Sequence, residues 1–379
     1  MSNFRQLLNS LPEEIENKLN EKNITSPTKV QEMVIPLLFQ KKDTLFESAT
    51  GTGKTLAYLL PLFTILENEK KAGNLDKSVK VIIVSPTFEL ASQIKNTVLQ
   101  FSHFKAALLI GGSPIKRQEE ALKEKPEFVI GTPARINELI RLKKLKTQGL
   151  ISIVFDEVDR LLKKEIVDEV KVLLSLIPEN TQKIALSATI DEKTKKFFPH
   201  YEKVFLPKED VICTNISHWA IYAENRDKID ILRKLINALD YEKILIFTSR
   251  ADQVMNISSK LKYKNINCVS LHAKSDGRER KTVIDRFRSG KEKILITSDL
   301  ASRGLDIPGI THIIQMDLPS DDDFFVHRAG RTARAGKKGT NIVIGDEWEM
   351  RHYASLEKKL KIKVFPKEIR KGKIQEPEL

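Results

Sequence analysis

Ser48-Ala49-Thr50-Gly51-Thr52-Gly53-Lys54-Thr55 is the stretch whose reading decides the fold. Before it, Thr44-Leu45-Phe46 is short and apolar enough for a buried strand. After it, Leu56-Ala57-Tyr58-Leu59-Leu60 reads as the start of a helix. Strand, glycine-rich turn and helix is the context that a phosphate-binding loop needs. Gly51 and Gly53 let the backbone turn tightly and bring its N–H groups to phosphate oxygens, and the helix N-terminus adds partial positive charge. Ala49, Thr50 and Thr52 complete the cradle, Lys54 reaches the β- and γ-phosphates, and the Thr55 hydroxyl sits on Mg²⁺. Ser48 departs from the common G-x-x-x-x-G-K-[ST] pattern, which has glycine there. The expected ligand is a nucleoside triphosphate with Mg²⁺.

The flanking chain is long enough, at 379 residues, for two or three domains with cores of their own. A hydrophobic content of 41% and a charged content of 30% fit a soluble globular protein. The net charge of +13 favours a polyanionic partner, although a lysine-rich solvated surface gives the same figure. Two cysteines, Cys213 and Cys268, with no CxxC or Cys/His cluster, argue against a disulfide framework or structural zinc. The amphipathic, acid-bearing N-terminus lacks the form of a signal peptide, and no apolar run approaches the ~20 residues of a spanning helix. A cytoplasmic location is the expectation.

Residues 1–30 read as a helical preface broken at Ser26-Pro27-Thr28, with Gln31 opening the next helix. Beyond the loop, apolar runs of about five residues alternate with helix-period segments. Val81 to Val84, Ala107 to Ile110, Phe128 to Ile130, Ile151 to Phe155 and Ile184 to Leu186 form the first series. Periodicity fades between Pro199 and Ser217, and Pro207 to Asp210 reads as a linker. Lys243 to Phe247, Ile266 to Leu271, Ile294 to Ile296, Ile313 to Met316 and Asn341 to Ile344 form a second series, the last closing the sheet. Continuous Val/Ile/Leu strands alternating with helices predict parallel sheets covered on both faces. Polar residues just past the strand ends then line the ligand crevice.

Asp156-Glu157 stands at such a strand end. Asp156 would hold Mg²⁺, and Glu157 would orient or deprotonate the attacking water. Hydrolysis also needs positive charge on the γ-phosphate in the transition state. Arg331 and Arg334, three residues apart beside a helix and preceded by the small pair Ala329-Gly330, are the candidate fingers. They stand in the half that lacks the loop. The site is then complete only when the halves close, so ATP can drive closure and phosphate release can undo it.

As a set, these motifs resemble the DEAD-box family of ATP-dependent RNA helicases, within helicase superfamily two, in order from about Phe4 to Ile344. The resemblance implies an α/β protein of two tandem RecA-like domains, each a mainly parallel sheet flanked by helices. Residues 1–206 form the ATP-binding domain, 207–217 a linker, 218–362 the second domain and 363–379 a basic tail. It implies that Ser26 to Gln31 is the adenine-reading motif, with Phe4 its upstream aromatic; a glutamine amide can pair with the N7/N6 edge of adenine. Ser187-Ala188-Thr189 matches the segment coupling hydrolysis to strand separation. Gly304 and Asp306 match contacts to ATP from the second domain, and His327, Arg331 and Arg334 match the finger motif.

The RNA-facing residues implied are Pro86, Thr87, Gly111, Gly112, Thr132 and Arg135 in the first domain, and Ser249, Arg280, Ser298 and Asp299 in the second. Small residues and backbone N–H groups there suit phosphate and 2′-OH contacts with little sequence preference. The RNA-dependent ATPase so implied is expected to act as a monomer. Departures stand at Val158, where the family has alanine, at Phe88, where it has arginine, at Ala134, where it has glycine, and at Gly277, where it usually has glutamine. Phe88 and Gly277 leave open an RNA clamp with negligible turnover. A DNA-directed motor is the third reading, against which Gln31 and Ser187-Ala188-Thr189 argue. The lysine-rich C-terminus is expected to be a solvated helix face followed by a disordered end.

Overall fold

The computed structural model describes residues 4–8, 11–48, 52–205, 215–272, 275, 277–299, 307–319, 322–333 and 337–377. The chain divides at Leu206–Pro207 into two compact units.

In the first unit, α1 (Phe4–Leu8), α2 (Glu13–Glu21) and α3 (Lys29–Phe39) precede β1 (Thr44–Glu47) and α4 (Lys54–Lys71). There follow β2 (Val81–Val84), α5 (Phe88–Phe101), β3 (Ala106–Leu109), α6 (Ile115–Lys123), β4 (Phe128–Gly131) and α7 (Pro133–Arg141). The unit ends with β5 (Ser152–Asp156), α8 (Val158–Leu161), α9 (Val167–Leu176), β6 (Gln182–Ser187), α10 (Glu192–Phe197) and β7 (Glu202–Phe205). The strands lie in the order β3-β4-β2-β5-β6-β1-β7, every pair parallel. Side chains alternate across the sheet: Val81 and Ile83 enter one core, Ile82 and Val84 the other. That two-sided burial is why the strands read as unbroken apolar runs.

The second unit comprises β8 (Ile216–Tyr222), α11 (Lys228–Ala238), β9 (Ile244–Thr248), α12 (Ala251–Tyr263), β10 (Val269–Leu271), α13 (Gly277–Arg288) and β11 (Ile294–Ser298). It continues with β12 (His312–Gln315), α14 (Asp322–Ala329), β13 (Gly339–Gly345), α15 (Glu347–Leu360), β14 (Val364–Pro366), β15 (Glu368–Arg370) and β16 (Lys373–Gln375). Its main sheet runs β10-β11-β9-β12-β13-β8-β14, again all parallel, and β15 with β16 forms a small antiparallel pair.

Three expectations are corrected. β13 does not close the second sheet, because β8 and then β14 lie beyond it. β8 begins at Ile216, inside the stretch assigned as linker. The C-terminal residues expected to be disordered form β14, which pairs with β8, and the β15–β16 hairpin, whose Ile369 and Ile374 pack against the core. Edge strands bury one face at most, so their sequences carry charge and polarity that hide the period. Of β7's four residues only Val204 is buried.

Between β8 and β13 sits a buried histidine. His218 is 2% exposed; its Nδ1 accepts from the Asn341 amide at 3.2 Å, and its ring stacks on Phe325 at 6.0 Å. Burial pushes its pKa down to about 4. The unfolded chain therefore binds a proton between pH 6.5 and 4 that the folded unit refuses. Stability from this group is present above pH 6.5 and lost as pH falls toward 4, by at most about 3 kcal/mol. Both tryptophans, Trp219 and Trp348, lie in this unit, so their fluorescence in denaturant melts at pH 7.5 and pH 5 reads the loss. His218→Asn is expected to flatten that pH slope.

Candidate functional site

β1 delivers the chain to the phosphate loop. Ala49, Thr50 and Gly51 lie outside the described residues. Ser48 N–H donates to the Ser187 carbonyl at 2.9 Å, and its buried hydroxyl hydrogen-bonds that of Thr52. The serine at the motif's glycine position thus closes the loop on itself. Gly53 caps α4 in the left-handed region, φ 87°, and a Cβ there would stand 2.6 Å from Gln31 Nε2. Both demands select glycine. Lys54 and Thr55 are the first two residues of α4, where the helix dipole favours an anion.

Gln31 is 1% exposed, and its carboxamide is engaged with the chain itself. Oε1 accepts from Thr28 N–H at 2.9 Å, completing the capping box of α3, and Nε2 donates to the Gly53 carbonyl at 3.1 Å. The start of α3 is thereby bonded to the glycine-rich loop. Phe4 is 3% exposed and packed in the core.

Asp156 ends β5 at 4% exposure. The Tyr58 hydroxyl, on α4, donates to its Oδ2 at 3.1 Å. Burial pushes the Asp156 carboxyl up to about 6; Lys54 opposes the rise, Glu157 adds to it, and the Tyr58 hydrogen bond opposes it. A buried carboxylate whose charge is disfavoured is one that a cation would relieve. Among the described residues no group of three or more His, Cys, Asp or Glu could hold a metal by itself. One carboxylate and one hydroxyl form a hard-oxygen donor set suited to an ion that shares its shell with water and phosphates.

Glu157 is left-handed, φ 54°, ψ 56°, a strained backbone for a non-glycine residue that concentrates at functional sites. Its Oε2 is 3.0 Å from Arg160 Nη1. Asp159 Oδ1 accepts from the Ser187 hydroxyl at 2.6 Å, and Thr189 N–H donates to the same hydroxyl at 3.3 Å. The acidic segment, Ser187 and the loop's first residue are therefore joined by consecutive hydrogen bonds.

Pro86-Thr87, Gly111-Gly112 and Thr132-Arg135 follow the C-terminal ends of β2, β3 and β4, three adjacent strands, so the sheet brings them to one rim. Thr87 caps α5 by accepting from Leu90 N–H at 3.3 Å, and Thr132 is the N-cap of α7. Gly111 and Gly112 are exposed, and nothing lies within 4 Å of where their Cβ atoms would stand. Arg135 donates to the Ser113 carbonyl at 3.0 Å and pairs with Glu138 at 2.9 Å. Phe88 is 46% exposed beside this rim.

In the second unit Gly304, Asp306 and Arg334 lie outside the described residues. Ser249 and Asp299 follow β9 and β11, Ser298 is buried at the end of β11, and Arg280 is half-buried on α13. What joins Ser249 to Asp299 is Arg328, 2% exposed on α14. Its Nε and Nη2 reach the two Asp299 oxygens at 2.5 Å each, Nη2 donates to Ser249 Oγ at 2.8 Å, and Nη1 donates to Gln315 Oε1 at 3.1 Å. Asp317 accepts from Ser249 Oγ at 2.5 Å and from its N–H at 2.8 Å. His327, on the same helix, is buried. Arg331, 8% exposed, lines a cleft of ≈ 80 Å³ with Glu242, Lys337 and Lys338.

Arg328, Asp317, Gln315, Tyr58, Asp159 and Arg160 were not singled out from sequence. Asp317 had a signal, a carboxylate just past a strand end. So had Arg328, a cation following the apolar run Phe324-Phe325-Val326. Tyr58 had none, because an aromatic in an apolar helix reads as core. Among the described residues no helix is long and apolar enough to cross a membrane.

Comparison with known proteins agrees with this geometry. Residues 28–197 match the family described as DEAD/DEAH box helicase, and residues 227–336 match the helicase conserved C-terminal domain. The chain is 36% identical over 358 residues to the DEAD-box ATP-dependent RNA helicase CshC of Bacillus cereus, covering 92% of this chain and 90% of that one. It is 33% identical to the probable ATP-dependent RNA helicase YfmL of Bacillus subtilis, covering 95% and 96%. Among solved structures, S. cerevisiae Dbp5 bound to RNA and ADP BeF3 superposes with a TM-score of 0.84 at 26% identity, over 97% of this chain and 95% of that one. The DEAD-box helicase Mss116 bound to ssRNA and UDP-BeF gives 0.85 at 26% identity, over 98% and 81%.

Proposed function

Because the chain belongs to the DEAD-box family of ATP-dependent RNA helicases, we infer that it hydrolyses ATP to unwind short RNA duplexes or to remodel RNA–protein complexes. The observation that carries this reading is the hydrogen-bonded run from Asp159 through Ser187 to Ser48, which ties the acidic strand end to the phosphate loop.

Residues 1–206 hold the triphosphate. The loop's N–H groups and Lys54 bind the phosphates, Gln31 has capacity left for the adenine edge, and Glu157 takes the proton of the attacking water. Thr55 and Asp156 would hold Mg²⁺, which supplies charge neutralisation on the phosphate oxygens. The second domain, residues 218–362, supplies Arg331 and Arg334 to the developing charge, His327 beside them, and Gly304 and Asp306 to the nucleotide. Val158, in place of alanine, is buried in the core. RNA runs over the rim of Pro86, Thr87, Gly111, Gly112, Thr132 and Arg135 and continues over Ser249, Arg280, Ser298 and Asp299, through phosphate and ribose contacts. We place the protein in the cytoplasm as a monomer, a setting consistent with the free, buried thiol of Cys268.

The test is ATPase turnover of the full chain with and without single-stranded RNA. Stimulation by RNA and not by DNA of the same length is expected. A rate indifferent to RNA would overturn the assignment of the rim.

A further inference from the structure

α4 is apolar almost throughout its buried face: Ala57, Leu59, Leu60, Leu62 and Phe63 are each at most 1% exposed. Tyr58 stands among them, itself fully buried, and its ring alone would be satisfied by the surrounding core. A hydroxyl in such a place costs stability unless it is bonded. This one is bonded to Asp156 Oδ2 at 3.1 Å, and Thr55 stands three residues earlier on the same helix face. One phenol therefore joins the Asp156 carboxylate to the helix face that carries Thr55.

We propose that the Tyr58 hydroxyl is a positioning group for the Mg²⁺–ATP complex. It occupies Oδ2 of Asp156 and so fixes the rotation of a carboxylate that would face the ion's hydration shell. The same bond ties the end of β5 to the helix that opens with Lys54 and Thr55, so the two donors are held in a fixed relation before nucleotide arrives. Preorganisation of this kind lowers the metal concentration needed for productive binding and leaves the chemistry of the bound complex unchanged.

The proposal rests on reading Thr55 and Asp156 as the metal side of an ATPase site. Tyr58→Phe keeps the ring and removes only the oxygen. In the full chain, binding of a fluorescent ATP analogue and RNA-stimulated ATPase are each titrated with Mg²⁺. The half-saturating Mg²⁺ concentration is expected to rise about tenfold in both, the low end for loss of a hydrogen bond to a charged group. Nucleotide binding in EDTA is expected to be unchanged, and kcat to return to within about twofold of wild type at saturating Mg²⁺, since the reacting groups are untouched. Mg²⁺ curves that superpose on wild type, with only a lowered Tm, would overturn the proposal and leave the hydroxyl a structural group. Nucleotide binding that ignores Mg²⁺ in the wild type as well would instead sink the metal-side reading on which it stands.

Discussion

Glu157→Gln is expected to bind ATP and RNA as the wild type does while turnover falls by about 10²–10⁴, the range that a positioned general base supplies. The substitution keeps the size of the side chain and removes its ability to take a proton. It also removes the charge facing Arg160, whose side chain is 9% exposed, so the partner is left with a neutral amide at about 3.0 Å. Some loss of stability accompanies it, because a buried cation loses its counter-charge. That loss is separable: a melt reports it, and single-turnover hydrolysis beside fluorescence anisotropy of labelled RNA reports the chemistry. Wild-type turnover in the variant would remove Glu157 from the reaction.

Arg331→Ala is expected to lower kcat by about 10³–10⁵ with a much smaller change in ATP affinity, the signature of a group that meets charge only in the transition state. Arg331→Lys should recover little, since an ammonium cannot reproduce the planar two-pronged geometry of a guanidinium. Equilibrium binding of a fluorescent nucleotide measured beside RNA-stimulated turnover checks both halves. Equal weakening of ATP and RNA binding with hydrolysis intact would make Arg331 a ligand-holding residue. Combining the two substitutions should cost far less than the product of the separate losses, as groups that serve one transition state are not additive.

Much of this was legible before any coordinates. Strands buried on both faces announce themselves as runs such as Val81 to Val84, and a parallel sheet puts the residues after each run at the ligand end. Hence Asp156, Thr87 and Ser249 could be placed from spacing and resemblance together. Strands that interrupt the run with polar residues could not: edge strand β7 carries Glu202 and Lys203, and β8 carries Ser217 and the buried His218. β14 to β16 are three residues each, too short for any period to register. Side chains acting through others also stayed hidden. Tyr58 sits inside an apolar stretch, Leu56 to Leu66, that reads as core, and its partner is 98 positions away. Only the fold, which sets α4 beside the end of β5, brings them together.

Arg328 has a mechanical implication. Its guanidinium locks Ser249, Asp299 and Gln315, from three different strand ends, onto the helix that leads into Arg331. On the proposed reading, the residues that would meet RNA and the cation that would meet the γ-phosphate thus share one mount. A single buried guanidinium would then carry a displacement of one to the other.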